Sequence, residues 1–97
     1  MAVGIVYEMD GMDAKMYDTM NERILAGGYF PAGLVLHAAG GVDGGWRIIE
    51  LWESMEAFES ARAERLDRAA QEAIDALGEV PSGARISTFE VHNLLRG

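Results

Sequence analysis

The chain has 97 residues, of which 49% are hydrophobic, and this size suits a single domain over residues 1–97. It contains no cysteine, which excludes disulfides, thiolate nucleophiles and cysteine-based metal sites. Sixteen acidic side chains against eight of lysine and arginine give a net charge of −8, so we expect neither nucleic acid nor an anionic membrane surface as a partner.

The first two elements are predicted to be a strand and a helix. Residues 2–9 are rich in β-branched side chains and predict a strand that ends at Asp10-Gly11. Asp13 is the expected N-cap of a helix over about residues 14–26, which Gly27-Gly28 ends. The apolar repeat of this helix is formed by Met16, Tyr17, Met20 and Ile24.

Residues 33–53 predict a β-hairpin around Asp43-Gly44, a dipeptide typical of a type I′ turn. Counting back from this turn places His37 opposite Glu50. Because side chains alternate along a strand, one face of the second strand is expected to carry Trp46, Ile48, Glu50 and Trp52.

A second helix and a last strand complete the chain. Ser54 is the expected N-cap and Gly78 the expected end of the helix, and Asp67 is a possible cap for a second half, with a bend near residue 66. Pro81-Ser82-Gly83 predicts a turn. Residues 86–95 predict the last strand, which carries Thr88, Glu90 and His92 on one face.

The order strand, helix, strand, strand, helix, strand predicts an α+β fold of the ferredoxin-like βαββαβ type. Right-handed crossovers give a four-stranded antiparallel sheet with both helices on one face. The other face of such a sheet is left bare, and a second copy of the chain is the simplest cover for it. We therefore predict a homodimer in which two sheets form a dimeric α+β barrel.

Three segments of the chain carry a resemblance to a known superfamily. They are the opening VGIVYE, the stretch GGWRIIELWESMEAFE, and the terminal TFEVHN. With them the chain resembles the dimeric α+β-barrel superfamily, which includes antibiotic-biosynthesis monooxygenase-type and haem-degrading domains. More narrowly, HAAG-x3-GGW, ES-x-E-A-F and EVHN resemble a set of short actinobacterial-type proteins. The resemblance implies a homodimer and, in its oxygenase branch, chemistry that needs no cofactor.

The haem-degrading branch can be compared residue by residue. Its members carry an asparagine on the first strand, where this chain has Tyr7 or Glu8. They carry a tryptophan three residues after the phenylalanine of the second helix, where this chain has Ala61 after Phe58. The second helix here also lacks their histidine. These differences argue against haem degradation by that arrangement.

Candidate chemistry is expected on the bare face of the sheet. The predicted catalytic residues are His37 or His92 as general base and Glu50 or Glu90 as its orienting partner, because imidazole ionises near neutral pH. The predicted ligand-binding residues are Tyr7, Trp46, Ile48, Trp52 and Glu90, although the face that carries Tyr7 is not fixed by the sequence.

Each of these residues also has a structural interpretation. His37 and Glu50 can satisfy each other across a strand pair, and large aromatic residues dominate cores and interfaces. No spaced ligand motif predicts a metal site, and the glycines around Asp43 have no strand-to-helix context of a phosphate loop.

Two functions follow as alternatives, with haem binding or degradation as a third that the differences above disfavour. One is a small monooxygenase-like oxidoreductase that acts without a cofactor on a hydrophobic aromatic molecule. The other is a homodimer that binds a small ligand, or is purely structural, without catalysis. No apolar run approaches the ~20 residues of a membrane helix and no leader-like segment opens the chain, so we expect a cytoplasmic protein.

Overall fold

The computed structural model describes residues 2–78 and 83–97 and has the βαββαβ order expected from the sequence. Four antiparallel strands form one sheet in the order β2-β3-β1-β4. The elements are β1 Val3–Asp10, α1 Ala14–Ile24, β2 Leu34–Val42, β3 Gly45–Trp52, α2 Met55–Ala61, α3 Asp67–Leu77 and β4 Gly83–Glu90. Among the helices of the described ranges, none is long and apolar enough to cross a bilayer.

The hairpin of β2 and β3 has the predicted loop and register. Val42 pairs with Gly45 and His37 pairs with Glu50. Gly44 has a positive φ of 74°, but Asp43 does not, so the turn is not of type I′, which requires positive φ at both central residues. A register shift near Leu34 lies beyond the pairs that bring His37 to Glu50.

The helix ends follow the sequence signals. The Asp13 carboxylate accepts a hydrogen bond from the Met16 amide at 2.9 Å, and the Ser54 hydroxyl accepts one from the Ala57 amide at 3.1 Å. After α1, a short 3₁₀ turn covers Ala26–Gly28. Gly78 ends α3 with a φ of 68°, a conformation that glycine adopts without steric cost.

The prediction that Asp67 caps a second half-helix was wrong. A π-helical turn, Arg62–Leu66, joins α2 to α3, and the Asp67 amide donates to the carbonyl of Arg62 five residues earlier. Asp67 has helical dihedral angles, and its carboxylate accepts instead from Nε of Arg62 at 3.3 Å. The helical hydrogen bonds therefore continue through this point, but they span five residues instead of four.

The face of the sheet that carries the hairpin residues is covered by the helices, which corrects the prediction that this face is bare. Residues that pair directly across the sheet share a face, and Val3, Ile5 and Tyr7 pair with Trp52, Glu50 and Ile48. The core contains Val3, Ile5 and Trp52 together with Phe58 and Ala61 of α2. The bare face is the opposite one.

The last strand is shifted relative to its predicted range. It begins at Gly83, which pairs with Asp10, and ends at Glu90, which pairs with Val3. Beyond Glu90 the Val91 amide still donates to the carbonyl of Ala2 at 3.0 Å, but the strand has ended and His92 lies outside β4. Of the turn predicted at residues 81–83, positions 81 and 82 lie outside the described residues.

Candidate functional site

A cavity of about 380 Å³ lies between the covered face of the sheet and the helices. Its walls are mostly apolar, which is typical of small-molecule sites. The lining residues are Tyr7, Met9, Tyr17, Met20, Asn21, Ile24, Leu25, Phe30, Pro31, Leu34, His37, Ile48, Glu50, Trp52, Arg62, Leu66, Asp67, Ala70, Ala84 and Ile86.

Glu50 is the buried centre of the polar part of this cavity. Only 7% of the residue is exposed, and β3 places its side chain under the helices. Its Oε2 atom lies 2.7 Å from Nδ1 of His37, and its Oε1 atom accepts from Nε1 of Trp52 at 3.0 Å. Both carboxylate oxygens are thus satisfied, as the burial of a charged group requires.

Tyr17 extends this network from helix α1. Its hydroxyl lies 2.6 Å from Nε2 of His37. Because a carboxylate only accepts hydrogen bonds, Nδ1 of His37 carries a proton toward Glu50. In the neutral form of the ring, Nε2 then accepts a hydrogen bond from the Tyr17 hydroxyl. The ring of Tyr17 also stacks on Trp46 at 5.3 Å between centroids.

This environment raises the pKa of two phenols, Tyr7 and Tyr17. Burial raises the pKa of Tyr7 well above its ordinary value, and the negative charge of Glu50 raises it further. The pKa of Tyr17 is also raised, first by burial and then by the charges of Glu50 and Asp18. Both phenols therefore stay protonated to a higher pH than a free tyrosine.

One cation reaches the cavity from the π turn. Arg62 lines the wall, its guanidinium lies 5.5 Å from the ring centroid of Phe58, and its Nε donates to Asp67. The charge of Arg62 lowers the pKa of Tyr7 and thus opposes part of the effect of Glu50. The cavity combines an apolar body with a carboxylate-linked imidazole and a paired guanidinium.

Five of the residues predicted to form a site line the cavity: Tyr7, His37, Ile48, Glu50 and Trp52. Trp46 packs behind Tyr17 rather than on the wall, and within the described residues its buried indole Nε1 has no hydrogen-bond partner.

Glu90 and His92 are not brought to this cavity. Glu90 is exposed at the end of β4, and His92 is exposed in the irregular segment that follows. His37 and Glu50 therefore lie together in the cavity, and His92 lies away from both.

Sequence reasoning missed Tyr17 and Arg62 as members of the site. In the sequence Tyr17 belongs to the apolar repeat of α1, the kind of stripe that packs inward. In the sequence Arg62 stands among alternating acidic and basic residues, a pattern typical of a solvated helix face. Its orientation depends on the π turn, which no sequence signal identified.

No group of three or more histidine, aspartate and glutamate side chains in the described part of the chain is arranged to hold a metal ion. His37 and Glu50 form a hydrogen-bonded pair, and residues 2–78 and 83–97 supply no third such ligand beside them.

No family model and no curated protein matches the sequence. Solved structures match the whole fold. SnoaB, a cofactor-independent oxygenase from Streptomyces nogalater, superposes with a TM-score of 0.66 at 17% identity, over 99% of this chain and 97% of that one. A candidate antibiotic biosynthesis monooxygenase from Caulobacter crescentus gives 0.68 at 17% identity, over 95% and 91%.

A third similar structure is a dimeric ferredoxin-like protein of unknown function from Thermobifida fusca, with a TM-score of 0.65 at 10% identity, over 94% of this chain and 92% of that one. The structural neighbours are thus antibiotic biosynthesis monooxygenase-type ferredoxin-like proteins. At these identities the likeness establishes the fold, as the resemblance of the sequence implied.

Proposed function

We propose that the protein binds a hydrophobic aromatic molecule in the cavity and oxygenates it without a cofactor. The observation that carries this proposal is the apolar cavity with one polar cluster, formed by Glu50, His37 and Tyr17. The cofactor-independent oxygenase among the structures of the same fold adds support by analogy.

In this proposal His37 acts as general base, with Glu50 holding its ring and balancing the positive charge that forms. A hydroxyarene that loses its proton becomes an electron-rich anion that dioxygen can oxidise directly. One oxygen atom ends as a new carbonyl on the ring, which becomes a quinone, and the other leaves as water with two hydrogens from the substrate. The substrate supplies all four electrons, and the apolar walls protect the anion from side reactions.

The proposal is tested by adding a panel of naphthols to the aerobic protein and measuring oxygen uptake, quinone absorbance and thermal stabilisation. His37→Ala is expected to lower the rate about 100-fold, the usual effect of losing a general base. His92→Ala changes an exposed imidazole outside the cavity and is the matched comparison, expected to keep the wild-type rate. Absence of both stabilisation and oxygen uptake across the panel would contradict the proposal.

A second candidate function is ligand binding without catalysis. It is favoured by the closed hydrogen bonding of the cluster, because both nitrogens of His37 already have partners. Such a protein would be stabilised by naphthols equally with and without oxygen, and no quinone would form.

We also propose that the protein is a homodimer joined through the bare face of its sheet. By register, this face carries one row with Leu36, Leu51, Gly4 and Phe89, and a second with Ala38, Ile49, Val6 and Ser87. Leu36 is 47% exposed, Ile49 40% and Phe89 50%. A contiguous apolar face of this kind is typical of an interface, and a second copy presents a matching one.

A further inference from the structure

Nε2 of His37, the atom that would accept a proton from a ligand, is already in hydrogen-bond contact with another side chain. Nε2 lies 2.6 Å from the hydroxyl of Tyr17, and Nδ1 lies 2.7 Å from the carboxylate of Glu50. A ligand in the cavity can therefore deliver a proton to His37 in one of two ways. It either displaces the Tyr17 side chain or passes the proton through the Tyr17 oxygen.

Displacement of Tyr17 is opposed by its packing. The ring lies 5.3 Å from that of Trp46 with an angle of 29° between the planes, and 6.1 Å from that of His37 with an angle of 26°. The side chain lies on the second turn of α1, whose start is fixed by the Asp13 cap. Moving the ring would break these stacking contacts as well as a short hydrogen bond.

We propose that Tyr17 is the catalytic residue that touches the ligand, and that it relays the ligand's proton to His37. This inference rests on the function proposed above. The O–H bond of the ligand breaks as a new O–H bond forms on the Tyr17 oxygen, while the original hydroxyl proton of Tyr17 moves to Nε2. The ligand is left as an anion and His37 as an imidazolium beside the Glu50 carboxylate, so charge is conserved.

Glu50 and Trp52 are positioning residues in this relay. The carboxylate keeps the proton of His37 on Nδ1, and the indole of the fully buried Trp52 fixes the second carboxylate oxygen. Burial and the charge of Glu50 raise the pKa of Tyr17, so its phenol exchanges one proton for another instead of remaining ionised.

The relay also defines the ligand class. A ligand must present a hydroxyl group to the Tyr17 oxygen, because the first step transfers a proton from the ligand. An aromatic ether of the same shape has no proton to give. We therefore expect a naphthol to react and its methyl ether to bind in the same cavity without reacting.

A ligand-free experiment tests whether the relay is in place. In protein with ¹⁵N-labelled histidine, long-range correlation spectra at neutral pH are expected to show His37 protonated on Nδ1 and unprotonated on Nε2. Tyr17→Phe, which retains the ring, should shift the Nε2 resonance, and Tyr29→Phe, which lies outside the cavity wall, should leave it unchanged. A proton on Nε2 in the wild type, or an Nε2 chemical shift that is the same in Tyr17→Phe as in the wild type, would overturn the proposal.

Kinetics test whether the relay operates. Tyr17→Phe and His37→Gln are each expected to lower naphthol oxidation about 100-fold, and the double variant to be no slower than either, because the two residues serve one step. Tyr29→Phe is the control and should keep the wild-type rate. The relay would be refuted if the double variant lost activity by the product of the two single losses, or if Tyr17→Phe kept full activity.

The two proposals fail in different ways. If the wild type consumes no oxygen with any naphthol, the proposed function fails, and the histidine spectra still decide whether Tyr17 occupies Nε2. If the wild type is active and Tyr17→Phe is equally active, only the relay fails.

Discussion

At the scale of single residues, the buried carboxylate of Glu50 is the group that most needs hydrogen-bond partners. It accepts hydrogen bonds from His37 and from the indole of Trp52, which is 0% exposed. The sequence predicted the pairing of His37 with Glu50 because both lie on one hairpin, and the register there follows from a two-residue loop. The contact with Tyr17 was not predicted, because it depends on how α1 packs against the sheet.

Removal of this carboxylate is expected to destabilise the fold. Glu50→Ala leaves the buried indole of Trp52 without an acceptor and opens a space beside His37. We expect the free energy of unfolding in urea to fall by about 1–3 kcal/mol, the range for an unsatisfied buried polar group. Glu53→Ala, at an exposed position three residues later, is the matched control, and an equal loss there would contradict the role given to Glu50.

The two half-buried phenols, Tyr7 and Tyr17, predict a loss of stability in alkali. The pKa values of Tyr7 and Tyr17 are raised in the folded state, so at high pH the folded chain holds protons that the unfolded chain has released. Their contribution is fully present below the unfolded pKa of about 10 and is lost as the pH rises through the folded values. Urea unfolding between about pH 8 and pH 11 should show this decline.

The absorbance of tyrosinate provides the control for that measurement. The tyrosines of the native protein should ionise at higher pH than those of the protein in urea. Tyr17→Phe should reduce the part of the absorbance change that occurs at the highest pH. Coincident titration of native and unfolded chains would show that these phenols are not held in the protonated state.

At the scale of elements, the ends of the helices were predictable and the π turn was not. Asp13 and Ser54 are capping residues that act within three positions of themselves, so a local pattern identifies them. The π turn at Arg62–Leu66 joins α2 to α3 inside one continuous helical stretch, with no capping residue to mark it. Turns of this kind frequently occur at functional sites, and this one brings Arg62 to the cavity wall.

The cap of α2 gives a prediction at this scale. Ser54→Ala removes the acceptor for the Ala57 amide and should lower the free energy of unfolding by about 1 kcal/mol. Ser60→Ala makes the same chemical change at an exposed position inside α2 and should have almost no effect. Equal effects of the two substitutions in urea unfolding would show that the cap contributes nothing.

At the scale of the whole molecule, the sequence predicted the βαββαβ sheet but assigned its bare face wrongly. Alternation separates the two faces of a strand, yet it does not show which face the helices cover. Here both faces are apolar, with Ile48 and Trp52 on the covered side and Ile49 and Leu51 on the other. The hydrophobic pattern alone therefore could not show which face the helices cover.

The bare face predicts the assembly. Ile49→Glu places a charge on the apolar face and should convert a dimer into a monomer, as measured by light scattering after size exclusion at micromolar concentration. Gln71→Glu adds the same charge on the exposed side of α3 and should leave the mass unchanged. A wild-type protein that is already monomeric, or an Ile49→Glu protein that remains dimeric, would contradict this interface.

The most direct test of the account is the location of a bound aromatic ligand. Methyl-labelled protein is titrated with a naphthol, and the isoleucine signals are followed by NMR. The account predicts that Ile24, Ile48 and Ile86, which line the cavity, shift with ligand while Ile49 on the opposite face does not. Shifts confined to Ile49, or no shift at any of the four, would contradict a ligand site between the sheet and its helices.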